Sequence, residues 1–423
     1  MSIEAFKRFC NREKPLYIYG AGGYGRVVKA FLEENNVKVS GFVVTDKGGA
    51  SQRVMGIPIL ELGEISGDVS FVVGVGKNYA DEITQRLSMA NIEDYFLLSE
   101  NLIDTIQQNT HYLTKNPIEK NFVNILLYHR VGSRESDPWN LKVTPKHFEE
   151  HIRHIAENYK VLRFEDDWAE IKEPSVVVTF DDGYLDNYEE ALPILEKYHI
   201  PATMFICTGC IDTENLFWWD YLYRIFTVIK DFPKFITVDG EEIKLYNVDK
   251  EDKNELLYQV WSALKQSLPS KRDAILQKLA EGLNKEVYRA GSDRMITGEE
   301  LKKLSNSPLI TIGAHTVTHS RLAIESPEMQ KWEFSESKRR IEEIIGDKVR
   351  VMSYPFGVRK DIAKVTPNIA KECGYEKAAV NWTGAVGNET NAFLLPRNTQ
   401  RDCDGDEFAR RLRGLWYMYS SEQ

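Results

Sequence analysis

Cysteine is scarce in this chain: five residues, an odd number, in a sequence of 423. That usage fits a reducing compartment better than a disulfide framework. Cys207 and Cys210 stand at metal or redox spacing, but no second pair exists to complete a zinc site, so two reduced thiols at a strand end are the competing reading. Long apolar runs are also missing, and no stretch is long enough to span a bilayer. Residues 1–14 hold charges and a cysteine but no apolar centre, which speaks against a signal peptide; the expected location is cytoplasmic. Positive charge is in deficit. A formal net charge of −10 argues against nucleic acid or an acidic membrane as the main partner. What is present, 42% hydrophobic and 28% charged residues, is ordinary for a folded globular protein, and the length suits about two or three domains.

The stretch that organises the chain is Val176-Val177-Val178-Thr179-Phe180-Asp181-Asp182-Gly183. A β-branched run reads as a buried strand. Neighbouring side chains on a strand face opposite ways, so the paired aspartates can converge only where the strand ends, and Gly183 permits the sharp exit. Asp182 capping the next helix, with Asp181 in water, is the plainer alternative. A second stretch shifts the balance. His315 and His319 follow the apolar run 309–312, and one aspartate with two histidines makes a facial ligand set for a divalent metal, with positions open for water and substrate.

Thr179-Phe180-Asp181-Asp182-Gly183 and His315-Thr316-Val317-Thr318-His319 resemble the first and second motifs of the polysaccharide deacetylase family, the NodB-homology carbohydrate esterases, over residues 122 to about 405. The resemblance implies a deformed (β/α) barrel with fewer than eight regular strands. It also implies a divalent metal, Zn²⁺ first among candidates, on Asp182, His315 and His319, with Asp181 as general base. Ser353-Tyr354-Pro355-Phe356-Gly357 is similar to the third motif, in which the backbone N–H at the position of Phe356 faces the developing oxyanion. Here the chain departs from the pattern. Ser353 stands where an arginine usually orients the base, and no histidine follows His319 to serve as the late general acid. His129, ending an early strand in Leu-Leu-Tyr-His-Arg-Val, is similar to the permuted acid of the poly-N-acetylglucosamine deacetylases, and Arg397 is the candidate partner for Asp181. A histidine ending a buried strand also serves often as a plain hydrogen-bonding residue.

Ahead of this region, residues 1–105 read as a small Rossmann-like parallel sheet. Pro15-Leu16-Tyr17-Ile18-Tyr19 is a strand that runs into Gly20-Ala21-Gly22-Gly23-Tyr24-Gly25, with a helix expected over 27–34. Gly20, Gly22 and Gly25 at this spacing admit a diphosphate to a helix N-terminus; Asp46, Gly76 and Lys77 fall at the ends of the neighbouring strands. Such a turn also serves merely to pack helix on strand, and about 100 residues leave no room for a separate hydride-transfer domain. The segment resembles the N-terminal nucleotide-sugar-binding domain of bacterial sugar acetyltransferases, which implies a UDP-sugar rather than NAD.

Residues 106–121 are polar and read as a linker, and 122–423 as the deacetylase domain. Its strands and helices alternate, the pattern of an α/β fold with parallel strands. Residues 212–292 break the rhythm as a mostly helical insertion. Trp218 and Trp219 within it can stack on a sugar or simply pack. Thr297-x-x-Glu300 is a capping box that marks the return to the barrel, and 408–416 has the spacing of a docking helix. The expected activity is metal-dependent removal of an N-acetyl group from an acetamido sugar or glycan in bacterial surface-glycan synthesis. The alternatives are a carbohydrate-binding pseudoenzyme and a two-His-one-carboxylate non-haem iron enzyme, against which the adjacent Asp181 argues.

Overall fold

Two parallel sheets organise the chain. The computed structural model describes residues 2–45, 53–74, 77–99, 102–103, 105–106, 123–133, 137–168, 171, 173–213, 216–229, 232–238, 240–245, 253–281, 283, 294–387 and 390–420.

The first sheet contains β1 (Leu16–Tyr19), β2 (Gly41–Val44), β3 (Arg53–Val54), β4 (Ile57–Glu61), β5 (Ser70–Val73) and β6 (Tyr95–Leu97), in the order β3-β4-β2-β1-β5-β6. All neighbours are parallel except the β3–β4 pair, a short antiparallel hairpin that the sequence reading did not anticipate. Helices α1 (Ile3–Cys10), α2 (Gly23–Glu34) and α3 (Lys77–Met89) accompany it. Phe6 and Phe9 of α1 stack against Phe96 with centroids 5.4 Å away, and Phe6 also meets Phe31, which closes one face of the sheet. Helix α2 begins at Gly23 rather than Val27. The glycine turn is itself its first turn, because Gly22 takes the N-cap position without any side chain. Gly25 is there for close approach: a Cβ would lie 1.8 Å from the Gly20 carbonyl oxygen. A Cβ on Gly22 would meet nothing within 4 Å. The linker, apart from Ile106, lies outside the described residues.

The second sheet runs β17-β16-β15-β12-β11-β7-β18 and is parallel throughout. Its members are β7 (Val123–Tyr128), β11 (Ser175–Phe180), β12 (Ala202–Ile206), β15 (Ile310–Ala314), β16 (Val351–Ser353), β17 (Lys377–Ala379) and β18 (Asn398–Thr399); β10 (Lys160–Val161) pairs with the start of β11. Every residue of β7 and β11 is buried, as expected of strands covered on both faces. Leu395 bridges to Ala379 while Asn398 and Thr399 pair with β7, so the segment 395–399 touches both ends of the row and curls the sheet into a barrel-like half-cylinder. A small pair, β8 (Arg130–Val131) with β9 (Lys142–Val143), stands at the mouth.

Helices α4 (Pro145–Asn158), α5 (Leu192–Lys197), α9 (Gly298–Ser305), α10 (Pro327–Ile345) and α11 (Thr366–Glu372) cover the outside. Their limits follow local chemistry. Thr144 and Ser326 cap α4 and α10 with proline in the first turn, Gly346 ends α10 in a left-handed conformation, and Thr297 with Glu300 forms the capping box of α9. The insertion supplies α6 (Trp218–Val228), the hairpin β13 (Phe235–Val238) with β14 (Glu241–Lys244), α7 (Lys253–Lys265) and α8 (Pro269–Ala280) around a core of its own. The final helix, α12 (Gly405–Ser420), docks on α4, where Phe408 stacks on His151 at 4.1 Å, and also touches α2. Leu415 packs against the cores of both sheets. Among the described residues no helix is long and apolar enough to cross a membrane.

The glycine geometry makes a paired prediction. Gly25→Ala must push α2 off β1 and should cost about 1–3 kcal/mol, whereas Gly22→Ala, which only weakens an N-cap, should cost at most about 1 kcal/mol and less than Gly25→Ala. Urea titration followed by circular dichroism distinguishes them, and equal effects would contradict the packing role of Gly25.

Candidate active site

Parallel strands bring their C-terminal ends to one mouth, and the candidate residues collect there. Asp181 and Asp182 follow β11, His315 and His319 follow β15, Ser353 ends β16, His129 follows β7, and Arg397 immediately precedes β18. The turns that deliver them are strained. Asp182 (φ 76°), Thr316 (66°), His319 (50°) and Phe356 (58°) all lie in the left-handed region that side chains avoid. Thr316 is β-branched and the most costly of these. The surroundings hold the turns in place: Thr208 N–H donates to the Thr316 carbonyl at 3.0 Å, and Gly209 N–H donates to the Val317 carbonyl at 2.8 Å. Glu333, buried on α10, accepts from the N–H groups of Val317 (2.7 Å) and Thr318 (3.0 Å). Nothing in the sequence singled out Glu333, which reaches back from the helix that follows the histidine loop.

Asp182, His315 and His319 are buried together, with one donor atom from each within 4.8 Å of the others. His315 Nε2 lies 3.5 Å from Asp182 Oδ1, and His319 Nε2 lies 3.4 Å from the same oxygen. Donors on a tetrahedral zinc ion sit roughly 3.3 Å apart, given bonds of about 2.0–2.2 Å, so the spacing fits. The electrostatics fit too. Burial pushes His319 down to about 3 and lowers His315, while it raises the Asp182 carboxyl. Among the described residues no lysine or arginine pairs with Asp182. Two neutral imidazoles and a buried carboxylate without a counter-charge form a donor set suited to a cation.

Asp181 has a different environment. Arg397 grips it in a fork, with Nη1 at 2.7 Å from Oδ1 and Nη2 at 2.6 Å from Oδ2, and both residues are buried. Ser353 Oγ lies 3.0 Å from Asp181 Oδ1 and 2.7 Å from His315 Nδ1. A hydroxyl has one proton, so if it donates to the carboxylate it must accept from Nδ1–H. The Ser353 carbonyl, 3.0 Å from the same nitrogen, also calls for a proton there. This fixes the His315 tautomer and leaves Nε2 as the lone-pair donor facing Asp182. Burial by itself would raise the Asp181 pKa, but the guanidinium and the hydrogen bonds hold it well below the usual carboxylate range.

His129 is half-buried at the end of β7. Burial lowers its pKa, and the fields of Asp182 and Asp181 oppose that shift. Its carbonyl accepts from Asn187 Nδ2 at 2.9 Å, and Asn187 also donates to Asp186, which Arg130 binds at 2.7 Å. The Phe356 ring stands edge-on to His319 at 4.7 Å, and among the described residues its N–H meets no acceptor. Trp218 and Trp219 are buried rather than presented to solvent; Trp219 stacks on Phe217 and stands 4.6 Å from the His319 ring. Cys207 and Cys210 are free thiols. His151, which the sequence did not mark, is a core histidine bonded to the Cys403 carbonyl and the Tyr128 hydroxyl, and burial pushes it down to about 4.

In the first sheet, Gly20, Gly22 and Gly25 form the turn into α2, with Gly20 at φ 106° and the helix start bare of any side-chain cap. Asp46 and Gly76 lie outside the described residues. Lys77 opens α3 with its backbone.

Residues 169–245 and 270–378 match the polysaccharide deacetylase family model, and residues 15–83 match that of the PglD N-terminal domain. A putative polysaccharide deacetylase of Bacillus subtilis, YxkH, is 23% identical over 280 residues, spanning 64% of this chain and 69% of that protein. The poly-beta-1,6-N-acetyl-D-glucosamine N-deacetylase of Staphylococcus aureus is 30% identical over 145 residues, 32% of this chain and 49% of that protein, so the chain spans about half the length of this relative. Among solved structures, the Streptococcus pyogenes deacetylase PplD in complex with acetate aligns with a TM-score of 0.45 at 19% identity, covering 69% of this chain and 98% of that one. IcaB from Ammonifex degensii aligns with a TM-score of 0.45 at 15% identity, covering 70% and 98%. The polysaccharide deacetylase match takes in Asp181, Asp182, His315, His319 and Ser353, which gather at one mouth, so this region of the chain is a polysaccharide deacetylase-type domain, with a match to the PglD N-terminal domain in front of it.

Proposed function

We propose that the chain is a metal-dependent N-deacetylase that removes acetate from an acetamido sugar of a bacterial surface glycan, in the cytoplasm. The observation that carries this reading is the division of labour between the adjacent aspartates: Asp182 faces two neutral imidazoles, while Asp181 faces Arg397 and Ser353. Asp182, His315 and His319 would hold the ion, most simply Zn²⁺. Such an ion lowers the pKa of water from 15.7 towards ~7 and polarises a carbonyl.

The remaining work falls to side chains and backbone. Asp181 accepts the proton of the water that adds to the amide carbon. Arg397 keeps that carboxylate ionised and fixed in direction, the task of the arginine that Ser353 replaces. The Phe356 N–H, left without an acceptor, donates to the oxygen that gains charge. His129 gives its proton to the departing nitrogen, so the C–N bond breaks to yield acetate and a free amine. Phe217 and Trp219 shield His319 from bulk water.

For the first sheet we propose a UDP-sugar as ligand, its diphosphate on the uncapped start of α2 beside Gly20 and Gly22. Gly25 supports that turn by packing. The ligand would hold substrate near the enzyme or regulate it.

Asp182→Ala, His315→Ala and His319→Ala should each lose both bound zinc and acetate release, whereas Asp181→Asn should keep zinc and lose the rate. Elemental analysis beside an acetate assay checks this; an Asp181→Asn protein with full activity would refute the assignment. Removing Arg397 as Arg397→Met leaves a buried unpaired charge and should cost about 3–5 kcal/mol in urea unfolding. The sign with pH follows: a depressed carboxyl adds stability above its unfolded pKa of about 3.9, and that increment disappears as pH falls through the lowered folded value. His129→Ala should slow turnover by ~10²–10⁴-fold with zinc retained and flatten the basic limb of the pH–rate profile, because an acid is lost as pH rises through its pKa. An unaltered profile would remove His129 from the acid role. Calorimetry of the full chain should give heat with UDP and none with NAD; the reverse preference would overturn the nucleotide-sugar reading.

A further inference from the structure

Helix α8 of the insertion carries a charge that the proposed reaction leaves unused. Arg272 is 6% exposed. Among the described residues the one carboxylate that meets it is its chain neighbour Asp273, which takes Nε–H at 2.9 Å and is itself 61% exposed at the side chain. Its terminal nitrogens have no acceptor there. The planar fork of terminal nitrogens is thus left to water or to a two-oxygen partner.

Beside it lies a cavity of about 500 Å³, within the usual size of small-molecule sites. Arg272, its ion-pair partner Asp273, Trp218, Phe217, Tyr221 and Gln277 line it from the insertion, with Leu216 and Leu276. The Arg272 guanidinium sits 5.3 Å from the Trp218 ring. The opposite wall is the backbone of the metal-ligand loop, with Val317 and Thr318 facing Cys207, Gly209 and Cys210. That wall is tightly joined: Cys207 Sγ donates to the Val317 carbonyl at 3.1 Å, and a Cβ on Gly209 would come within 2.4 Å of the same oxygen. None of the proposed ligands or catalytic groups lines the space.

We propose that this cavity binds an anionic monosaccharide unit, either a sugar carboxylate or a sugar phosphate. Arg272 takes the acid group in a fork, the aromatic side chains wall the sugar ring, and the Gln277 amide takes a hydroxyl. A purely apolar acid would leave the amide unused, and a neutral sugar would leave the terminal nitrogens of Arg272 to water. The occupant presses on the Val317–Thr318 backbone, so its presence is felt at the loop that ends in His319. Trp218 gives a second route, since it touches Arg272 and lies 6.5 Å from the Phe356 ring. The inference does not depend on the deacetylase reading, because it concerns binding alone.

The test is calorimetric titration of the full zinc-loaded chain with glucuronate, glucose 6-phosphate and glucose. At least one acid should saturate a single site, with glucose weaker by tenfold or more, and the preferred acid identifies carboxylate or phosphate as the recognised group. Arg272→Gln should weaken that acid at least tenfold. Gln277→Trp, which fills the cavity and keeps the arginine, should abolish binding, and it decides the matter if Arg272→Gln fails to fold. No saturable heat with either acid, glucose binding as tightly as the acids, or unchanged binding in Gln277→Trp would overturn the proposal.

Discussion

The buried fork between Arg397 and Asp181 is the contact on which the rest of the mouth depends. It joins the strand that carries the aspartate pair to the segment 395–399 that draws the two ends of the curled sheet together. Pulling two charges from water costs several kcal/mol each, and only good geometry with further hydrogen bonds offsets it. Here both guanidinium nitrogens reach both carboxylate oxygens, Nε donates to the Val380 carbonyl, and Ser353 Oγ adds a contact to the carboxylate. Fold closure and the state of the proposed base are therefore set by one interaction.

From that pair the order spreads through Ser353. Its hydroxyl links Asp181 to His315, and its carbonyl fixes the His315 tautomer, so the proposed base and one proposed metal ligand share a support. His319 is held differently. Its ring is boxed by Trp219, Phe356 and Phe217, and its loop is pinned by Glu333 and by the backbone of Thr208 and Gly209. The left-handed residues at these turns are tolerated because each is over-determined by its neighbours. Strain of this kind, on the order of 1–3 kcal/mol per residue, is the expense of aiming several side chains at one point.

The insertion belongs to this argument rather than to the periphery. Trp219 Nε1 donates to the Tyr184 hydroxyl, which donates to Asp220, so the start of α6 is tied to the turn just after the aspartates. From α7, Lys265 reaches Asp361 at 2.8 Å and stands 4.1 Å from the Phe356 ring. The elements that interrupt the barrel in sequence thus build one side of its mouth.

The α/β class, the strand carrying Asp181 and Asp182, the glycine turn and the Thr297–Glu300 capping box were legible in the sequence because each rests on local physics: β-branched burial, side-chain alternation, left-handed glycine and a capping hydroxyl. The same locality explains what could be read of the site, since paired aspartates at a strand end and histidines four apart declare themselves within a few residues. Packing of helix on strand was one of two readings of the glycine turn; that Gly25 approaches the Gly20 carbonyl needed the tertiary contact. Arg397 was named as a partner for Asp181, but its two-oxygen grip, the double role of Ser353, the Glu333 clamp and the open fork of Arg272 could not be read from spacing. The fork joins positions 181 and 397 and Ser353 reaches back to Asp181 and His315, and charge pairing depends on distance and dielectric in space rather than on separation in sequence.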